Sequence, residues 1–260
     1  MFNIITSKDN QIIKQTASLL NKKGRDDNLL FLFEGAKLTY EALESDIQIQ
    51  YALFEQSISE KNFSLAEKLA KNGVKLYSIS QDLMKKITDT TTPQGIVCVA
   101  KIMDKLEKDD IVIGRYIALE KMQDPGNLGA VLRIADAFNL DGVILDNECA
   151  DIYSPKTIRG SMGSAFRVNV IKVNELGETI RDFRAKGFIT YAADLDDSAT
   201  PLNEIVWGDK NIVVIGNEGA GVSKGVLSSC GNALYIPMNG KAQSLNASVA
   251  AGIIAYAMNN

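Results

Sequence analysis

Three stretches of the chain pair polar side chains with the turns needed to present them. The first is Asp124-Pro-Gly-Asn-Leu-Gly-Ala-Val-Leu-Arg133. Pro125 and Gly126 make a turn, and Asn127 suits the N-cap of a following helix. Helical spacing then sends Leu128, Val131, Leu132, Ala135 and Phe138 inward, with Arg133 on a small-residue face beside Ala130 and Ala137. The second is Ile215-Gly-Asn-Glu-Gly-Ala-Gly-Val-Ser223, an apolar strand that ends in a glycine-rich turn around one carboxylate. Phosphate loops share the glycines, but the spacing is not G-x-G-x-x-G and Glu218 would repel phosphate. A neutral or cationic ligand suits this turn better. The third, Ile236-Pro-Met-Asn-Gly-Lys-Ala-Gln-Ser-Leu-Asn246, leads into a helix rich in Ala and Gly that Asn246 can cap. That helix is apolar nearly all round, the pattern of a buried helix with close backbone approach.

A weaker stretch, Ser154 to Arg167, mixes Lys156, Arg159 and Arg167 with Ser and Gly. It fits phosphate contact and a solvated helix face equally well. Each of the other three has a plain structural reading too: Asn127 as a cap beside a solvated Arg133, Glu218 as an exposed turn residue, and the last helix as simple core.

Composition limits the chemistry. The 260 residues contain no histidine, which removes Ser-His-Asp and Cys-His catalysis and histidine-ligated metals. Cys98, Cys149 and Cys230 are far apart with no C-x-x-C pair, so neither a disulfide framework nor a zinc site is expected, and no metal is expected at all. Carboxylates, amides, hydroxyls, lysine, arginine and backbone remain. The formal net charge is −4, unusual for a protein that binds nucleic acid. The charge is uneven: residues 1–105 carry 14 Lys and Arg against 13 Asp and Glu, and residues 106–260 carry 14 against 19. The opening MFNIITSKDN has no secretory pattern, and no apolar run is long enough to span a bilayer, so a cytoplasmic protein without membrane contact is expected.

The elements that must hold these stretches form two α/β sets. In residues 1–105, a helix is expected over Asp9–Asn21, strands at Leu29–Phe33, Ile49–Phe54, Lys75–Ile79 and Ile96–Ile102, and a helix carrying Leu38, Ala42 and Leu43 after Glu34-Gly35. The charged run 103–110 reads as a linker, with the domain boundary drawn at 106–114. In residues 115–260, strands are expected at Tyr116–Glu120, Gly142–Leu145, Ala165–Val170, Phe188–Asp194, Asn211–Gly216 and Leu234–Pro237. Helices are expected at Leu128–Asn139, Lys156–Gly163, Leu176–Lys186 and Asn246–Met258. The near-continuous apolar strand at 211–216 is the pattern of a parallel sheet covered on both faces, with ligand chemistry at the strand C-termini.

In order and spacing, the three stretches together resemble the signature motifs of the SpoU-type RNA 2′-O-methyltransferases of the SPOUT class. The residues that carry the resemblance are Asn127 and Arg133 with Ala135-Asp-Ala-Phe138, then Gly216-Asn-Glu-Gly-Ala-Gly221. They continue with Ile236-Pro-Met238, Ser244-Leu-Asn246 and Ser248-Val-Ala-Ala-Gly252. Phe31-Leu-Phe-Glu-Gly35, Glu41-Ala-Leu43 and Thr92-Pro-Gln-Gly-Ile96 resemble the family's small RNA-binding domain. The resemblance implies a knotted parallel-sheet methyltransferase domain at 115–260, with a C-terminal trefoil knot, behind a small α/β substrate-binding domain at 1–105. It implies S-adenosylmethionine held largely by backbone around Gly216, Ile236 and Leu245, with Asn217, Gly219 and Met238 beside it. It implies Arg133 as the central catalytic residue, oriented with ribose and cofactor by Asn127, Glu218, Ser244 and Asn246. A homodimer is implied, acting on RNA, with ribosomal 23S RNA favoured over transfer RNA. Lys14, Lys22, Lys23 and Arg25 are candidate RNA contacts from local charge. A non-catalytic RNA-binding protein and a dinucleotide-dependent enzyme are the other readings; the second lacks its G-x-G-x-x-G.

Overall fold

The computed structural model describes residues 2–57, 59–103, 106–195 and 199–259. The chain divides into two compact units, Met1–Asp104 with Asp151–Arg167, and Lys105–Ala150 with Val168–Asn260.

The first unit runs β1 (Asn3–Ile5), α1 (Gln11–Ser18), α2 (Lys22–Asn28), β2 (Leu30–Glu34), α3 (Ala36–Leu43), β3 (Ile49–Glu55), α4 (Glu60–Lys71), β4 (Lys75–Ile79), α5 (Gln81–Lys86) and β5 (Ile96–Lys101). Its sheet has the order β1-β4-β3-β5-β2. β1, β4 and β3 are parallel, and β5 runs antiparallel to both β3 and β2. Apolar runs make the central strands: Tyr51–Phe54 and Ile96–Ala100 are buried at every position, as expected of strands covered on both faces. Asn10, Ser59 and Ser80 cap α1, α4 and α5 by accepting backbone N–H bonds. The helix expected over 9–21 is α1 alone, which ends at Ser18 before the turn at Leu19–Asn21; α2 follows beyond the expected range. Neither α4 nor α5 was legible from periodicity.

The second unit opens with β6 (Gly114–Leu119), α6 (Pro125–Ala137) and β7 (Gly142–Asp146). The chain then contributes α7 (Pro155–Ser161) and a 3₁₀ turn (Ser164–Phe166) to the first unit. There Tyr153 meets Phe31, with ring centres 4.8 Å apart, and Phe166 meets Phe33 at 5.1 Å. The strand expected at Ala165–Val170 is therefore absent. Met162 and Gly163 take positive φ and turn the chain, Ala165 and Phe166 are buried in the 3₁₀ turn, and the strand begins only at Val170. The sequence reading had kept this stretch within the C-terminal half.

Back in the second unit come β8 (Val170–Val173), α8 (Leu176–Ala185), β9 (Ile189–Ala193), β10 (Thr200–Pro201), β11 (Lys210–Ile215), α9 (Lys224–Ser229), β12 (Asn232–Tyr235) and α10 (Ala247–Met258). The seven strands are all parallel, in the order β10-β12-β9-β11-β6-β7-β8. β11 inserts between β6 and β9, so the C-terminal ends of β12, β9, β11 and β6 stand side by side. This arrangement presents a ligand crevice at strand ends. The expected linker also packs here: Leu106 and Ile111 join the core with Ile180 and Phe183, and Lys108 pairs with Asp182 at 2.8 Å. Asp104 and Lys105 of that stretch lie outside the described residues.

α10 is not buried all round in the single chain. Ala247, Ala251, Ile254, Ala255 and Met258 face inward, while Val249, Ile253 and Tyr256 are exposed. Its packing partner is α6, where Gly252 approaches Ile134 and Tyr256 meets Phe138 edge-on.

Candidate active site

The site begins with a correction at α6. Asp124, not Asn127, is the N-cap: its carboxylate accepts the Asn127 N–H at 2.8 Å, and Pro125 occupies the first turn. The Asn127 carboxamide is thereby left for tertiary contacts. Its Nδ2 donates to Glu218 Oε1 at 3.0 Å, and its Oδ1 accepts from Asn246 Nδ2 at 3.0 Å. Asn246 does cap its helix, accepting the N–H groups of Ser248 and Val249 and the Ser248 hydroxyl. Three amide and carboxylate side chains from three distant stretches thus form one chain of bonds, in which each amide uses donor and acceptor together.

Asn217 shapes the loop that brings Glu218 to this chain. Its Oδ1 accepts the N–H groups of Gly219 and Ala220, and its Nδ2 donates to the Lys121 carbonyl at 2.9 Å. Its backbone closes a two-way bridge with Gly221. Two glycines are required by this closure. A Cβ at Gly216 would collide with the Gly221 carbonyl group, and Gly221 itself has φ +69°. The glycines therefore let the loop approach itself.

The end of β6 holds the same loop from behind, through residues that sequence reasoning missed. Glu120, 4% exposed, accepts the Ser223 N–H at 2.8 Å. Lys121, in a left-handed conformation, donates its N–H to Asp146 and pairs its side chain with Glu148 at 2.6 Å, which raises the lysine pKa. The available signal was a carboxylate directly after the apolar run Tyr116–Leu119, where a strand end needs a reason to bury a charge.

These elements enclose a cleft of about 270 Å³ at the ends of β9, β11 and β12 and the start of α10. Gly216, Asn217, Gly219, Ile236, Met238 and Leu245 all line it, as do Glu218 and Ser244. Asn127 and Asn246 join it through the bond to Glu218. Arg133 does not. It is exposed on α6 and makes no hydrogen bond or ion pair among the described residues. The charged residues on the cleft wall are Asp194 and Glu218, both acidic. Such a wall disfavours phosphate and suits a ligand carrying positive charge.

Elsewhere most of the basic candidates are already engaged. Arg25 is buried and binds Asp151 Oδ2 through two nitrogens, at 2.9 and 2.7 Å, so it is unavailable to RNA. Arg159 pairs with Asp89, and Arg167 with Glu41. Lys14 pairs with Asp9, whereas Lys22 and Lys23 are exposed. Burial pushes the thiols of Cys98, Cys149 and Cys230 up to about 12, which removes them as nucleophiles at neutral pH. Among the described residues, no cluster of three or more His, Cys, Asp or Glu is set to hold a metal, and no helix is long and apolar enough to cross a membrane.

Comparison with known proteins agrees with this geometry. Residues 114–256 match the SpoU rRNA Methylase family, and residues 10–98 match the MRM3-like substrate binding domain. The chain is 35% identical over 253 residues to the Bacillus subtilis 23S rRNA (guanosine(2553)-2′-O)-methyltransferase RlmP, covering 97% of each chain. It superposes on the AdoMet-bound rRNA methyltransferase from Sinorhizobium meliloti with a TM-score of 0.87 at 30% identity, covering 99% of this chain and 97% of that one. The SpoU methyltransferase AviRb from Streptomyces viridochromogenes, in complex with AdoMet, gives a TM-score of 0.81 at 27% identity, covering 96% and 97%. With its parallel sheet, its three converging stretches and these matches along nearly its whole length, the chain belongs to the SpoU rRNA methylase family.

Proposed function

We propose that this family member methylates a ribose 2′-hydroxyl of 23S ribosomal RNA. Family membership makes it an enzyme, an S-adenosylmethionine-dependent RNA methyltransferase. The observation that carries the site assignment is the cleft itself. It is built from all the expected cofactor residues, its charges are carboxylates, and it offers no cation to a phosphate. That fits a sulfonium cofactor and counts against a dinucleotide. When bound there, S-adenosylmethionine supplies an activated methyl group.

The chain's own residues do the positioning. Backbone groups at Gly216, Ile236 and Leu245 hold the cofactor, with Asn217, Gly219 and Met238 completing the wall. Asn127 fixes Glu218, and Asn246 fixes Asn127, so the carboxylate keeps one orientation beside Ser244. Arg133, exposed and unpaired among the described residues, grips an RNA phosphate and steadies negative charge developing on the attacking oxygen. A guanidinium stays protonated, so the hydroxyl proton leaves to phosphate or water.

Residues 1–105 serve as the RNA-binding domain, a reading supported by the match at 10–98. The protein works in the cytoplasm as a homodimer. Support for the dimer is the exposed apolar stripe Val249, Ile253 and Tyr256 on α10. The passage from β12 through 236–246 to α10 forms the threaded C-terminus of the class. The deciding experiment is transfer of tritiated methyl to ribosomal and transfer RNA from cells lacking the protein, with the modified nucleotide mapped. Label in a 23S ribose is expected. Label in transfer RNA alone overturns the substrate, and none in any RNA favours a non-catalytic binder.

A further inference from the structure

Asp194 stands at the cleft with no part in the function described so far. It follows directly on β9, whose Ala192 is in register with Val214 of β11 and whose Ala193 is in register with Leu234 of β12. Continuing both registers by one or two residues sets Asp194 between Gly216 and Tyr235, at the ends of three adjacent parallel strands. Its N–H donates to the Leu234 carbonyl at 3.0 Å, and its Oδ1 accepts the Leu195 N–H at 2.8 Å. Backbone and side chain are thus both held.

Of the two carboxylates on the cleft wall, Glu218 is committed to Asn127. Asp194 bonds to no other side chain among the described residues. The cleft wall it belongs to is largely apolar, with Leu195, Ile215, Leu234 and Ile236, and its neutral polar side chains are Asn217, Tyr235, Gln243 and Ser244. Such surroundings raise the cost of a carboxylate that meets no donor when a ligand excludes water. A carboxylate at the end of a parallel strand is well suited to a vicinal diol, whose two hydroxyls donate charge-assisted bonds to it.

We infer that Asp194 accepts hydrogen bonds from the ribose hydroxyls of the cofactor's nucleoside and makes the cleft selective for a ribonucleoside. This rests on the assignment of the cleft as the cofactor site. Calorimetry tests it with wild type, Asp194→Asn and Asp194→Ala against three ligands. These are S-adenosylhomocysteine, 5′-methylthioadenosine, which keeps the ribose but has no amino acid, and 2′,3′-dideoxy-5′-methylthioadenosine. Thermal unfolding of each variant checks that it folds.

Asp194→Ala should weaken the first two ligands alike, by about tenfold, and leave the dideoxy compound unchanged. Loss for S-adenosylhomocysteine with methylthioadenosine unaffected would move the contact to the amino group and overturn the proposal. Equal loss for all three, or no loss, overturns it as well. A wild-type protein that binds none of them fails at the cleft assignment, before Asp194 is in question, and takes this role with it.

Discussion

The Nδ2 of Asn127 donates to Oε1 of Glu218 at 3.0 Å across 91 residues of sequence. The bond leaves the Glu218 carboxylate one orientation at the cleft, and Asn246 fixes the donor from its other side. Asn127→Asp keeps the size of the side chain but sets a second carboxylate against Glu218. Methyl transfer should fall about 10- to 100-fold, the scale of one charge-assisted bond turned repulsive. Binding of S-adenosylhomocysteine should change little. An unchanged turnover number would remove Asn127 from the machinery.

Arg133 lies six residues beyond Asn127 on α6, about one residue short of two helical turns, outside the cleft wall and exposed. Arg133→Ala should lower single-turnover methyl transfer by about a thousandfold, the scale of losing a principal electrostatic group. Calorimetric affinity for the cofactor should survive. Arg133→Lys should recover only part of the rate, because a point charge lacks the two-pronged grip on phosphate.

The loop 216–223 is held at one end by Asn217 on the Lys121 carbonyl and at the other by Glu120 on the Ser223 N–H. Asn217→Ala removes three side-chain bonds and should raise KM for the cofactor about tenfold or more. Glu120→Gln keeps an acceptor for Ser223, whereas Glu120→Ala leaves that N–H unpaired. Steady-state kinetics should therefore show Glu120→Gln near wild type and Glu120→Ala with a raised KM. Equal behaviour of the two would show that the acceptor does not matter.

Within the first unit, Arg25 and Asp151 form a pair whose side chains are 4% and 12% exposed, and Arg25 also donates to the Leu19 and Leu20 carbonyls. Removing one partner strands a buried charge, so Arg25→Ala and Asp151→Ala should each cost about 3–5 kcal/mol in denaturant unfolding. The double variant should cost less than the sum of the two. Strict additivity would mean that the two groups do not interact.

Alkali should destabilise the fold through its thiols. Burial raises the thiols of Cys98, Cys149 and Cys230 from their ordinary value of 9.0 to about 12. Between these values the folded chain keeps protons that the unfolded chain releases. Their contribution is thus full below about pH 9 and is lost as pH rises toward 12. Unfolding free energy measured from pH 8 to 10.5 should fall with a slope that flattens when Cys98→Ala, Cys149→Ala and Cys230→Ala are combined. In the native protein near pH 7.5, thiol reagents should react slowly with all three.

Much of the scaffold was legible because its signals are local. Asn211–Gly216 is an apolar run long enough for a strand, and Lys75–Ile79 sets Leu76, Tyr77 and Ile79 in a short stretch that favours one. The cap at Asn246 was legible for the same reason, since a capping side chain bonds N–H groups two and three residues away. α4 was not read, because its apolar positions are diluted by charged residues on a half-solvated face. The strand expected at Ala165–Val170 failed because an aromatic such as Phe166 also fills a 3₁₀ turn when another aromatic covers it.

By itself, the sequence determined the α/β class, the three stretches that carry chemistry and the exclusion of Ser-His-Asp and Cys-His catalysis. These depend on residue type, short-range spacing and recognisable motif order. Only the tertiary structure decided that Asp124 caps α6 and frees Asn127 to join Glu218 to Asn246, that Arg25 is spent on Asp151, and that Asp194 shares the cleft with Glu218. Each of these is a contact between residues far apart in the chain, except for the cap. Even the cap was ambiguous, since Asp124 and Asn127 are both good caps. Which one serves depends on what waits 91 residues away for the other.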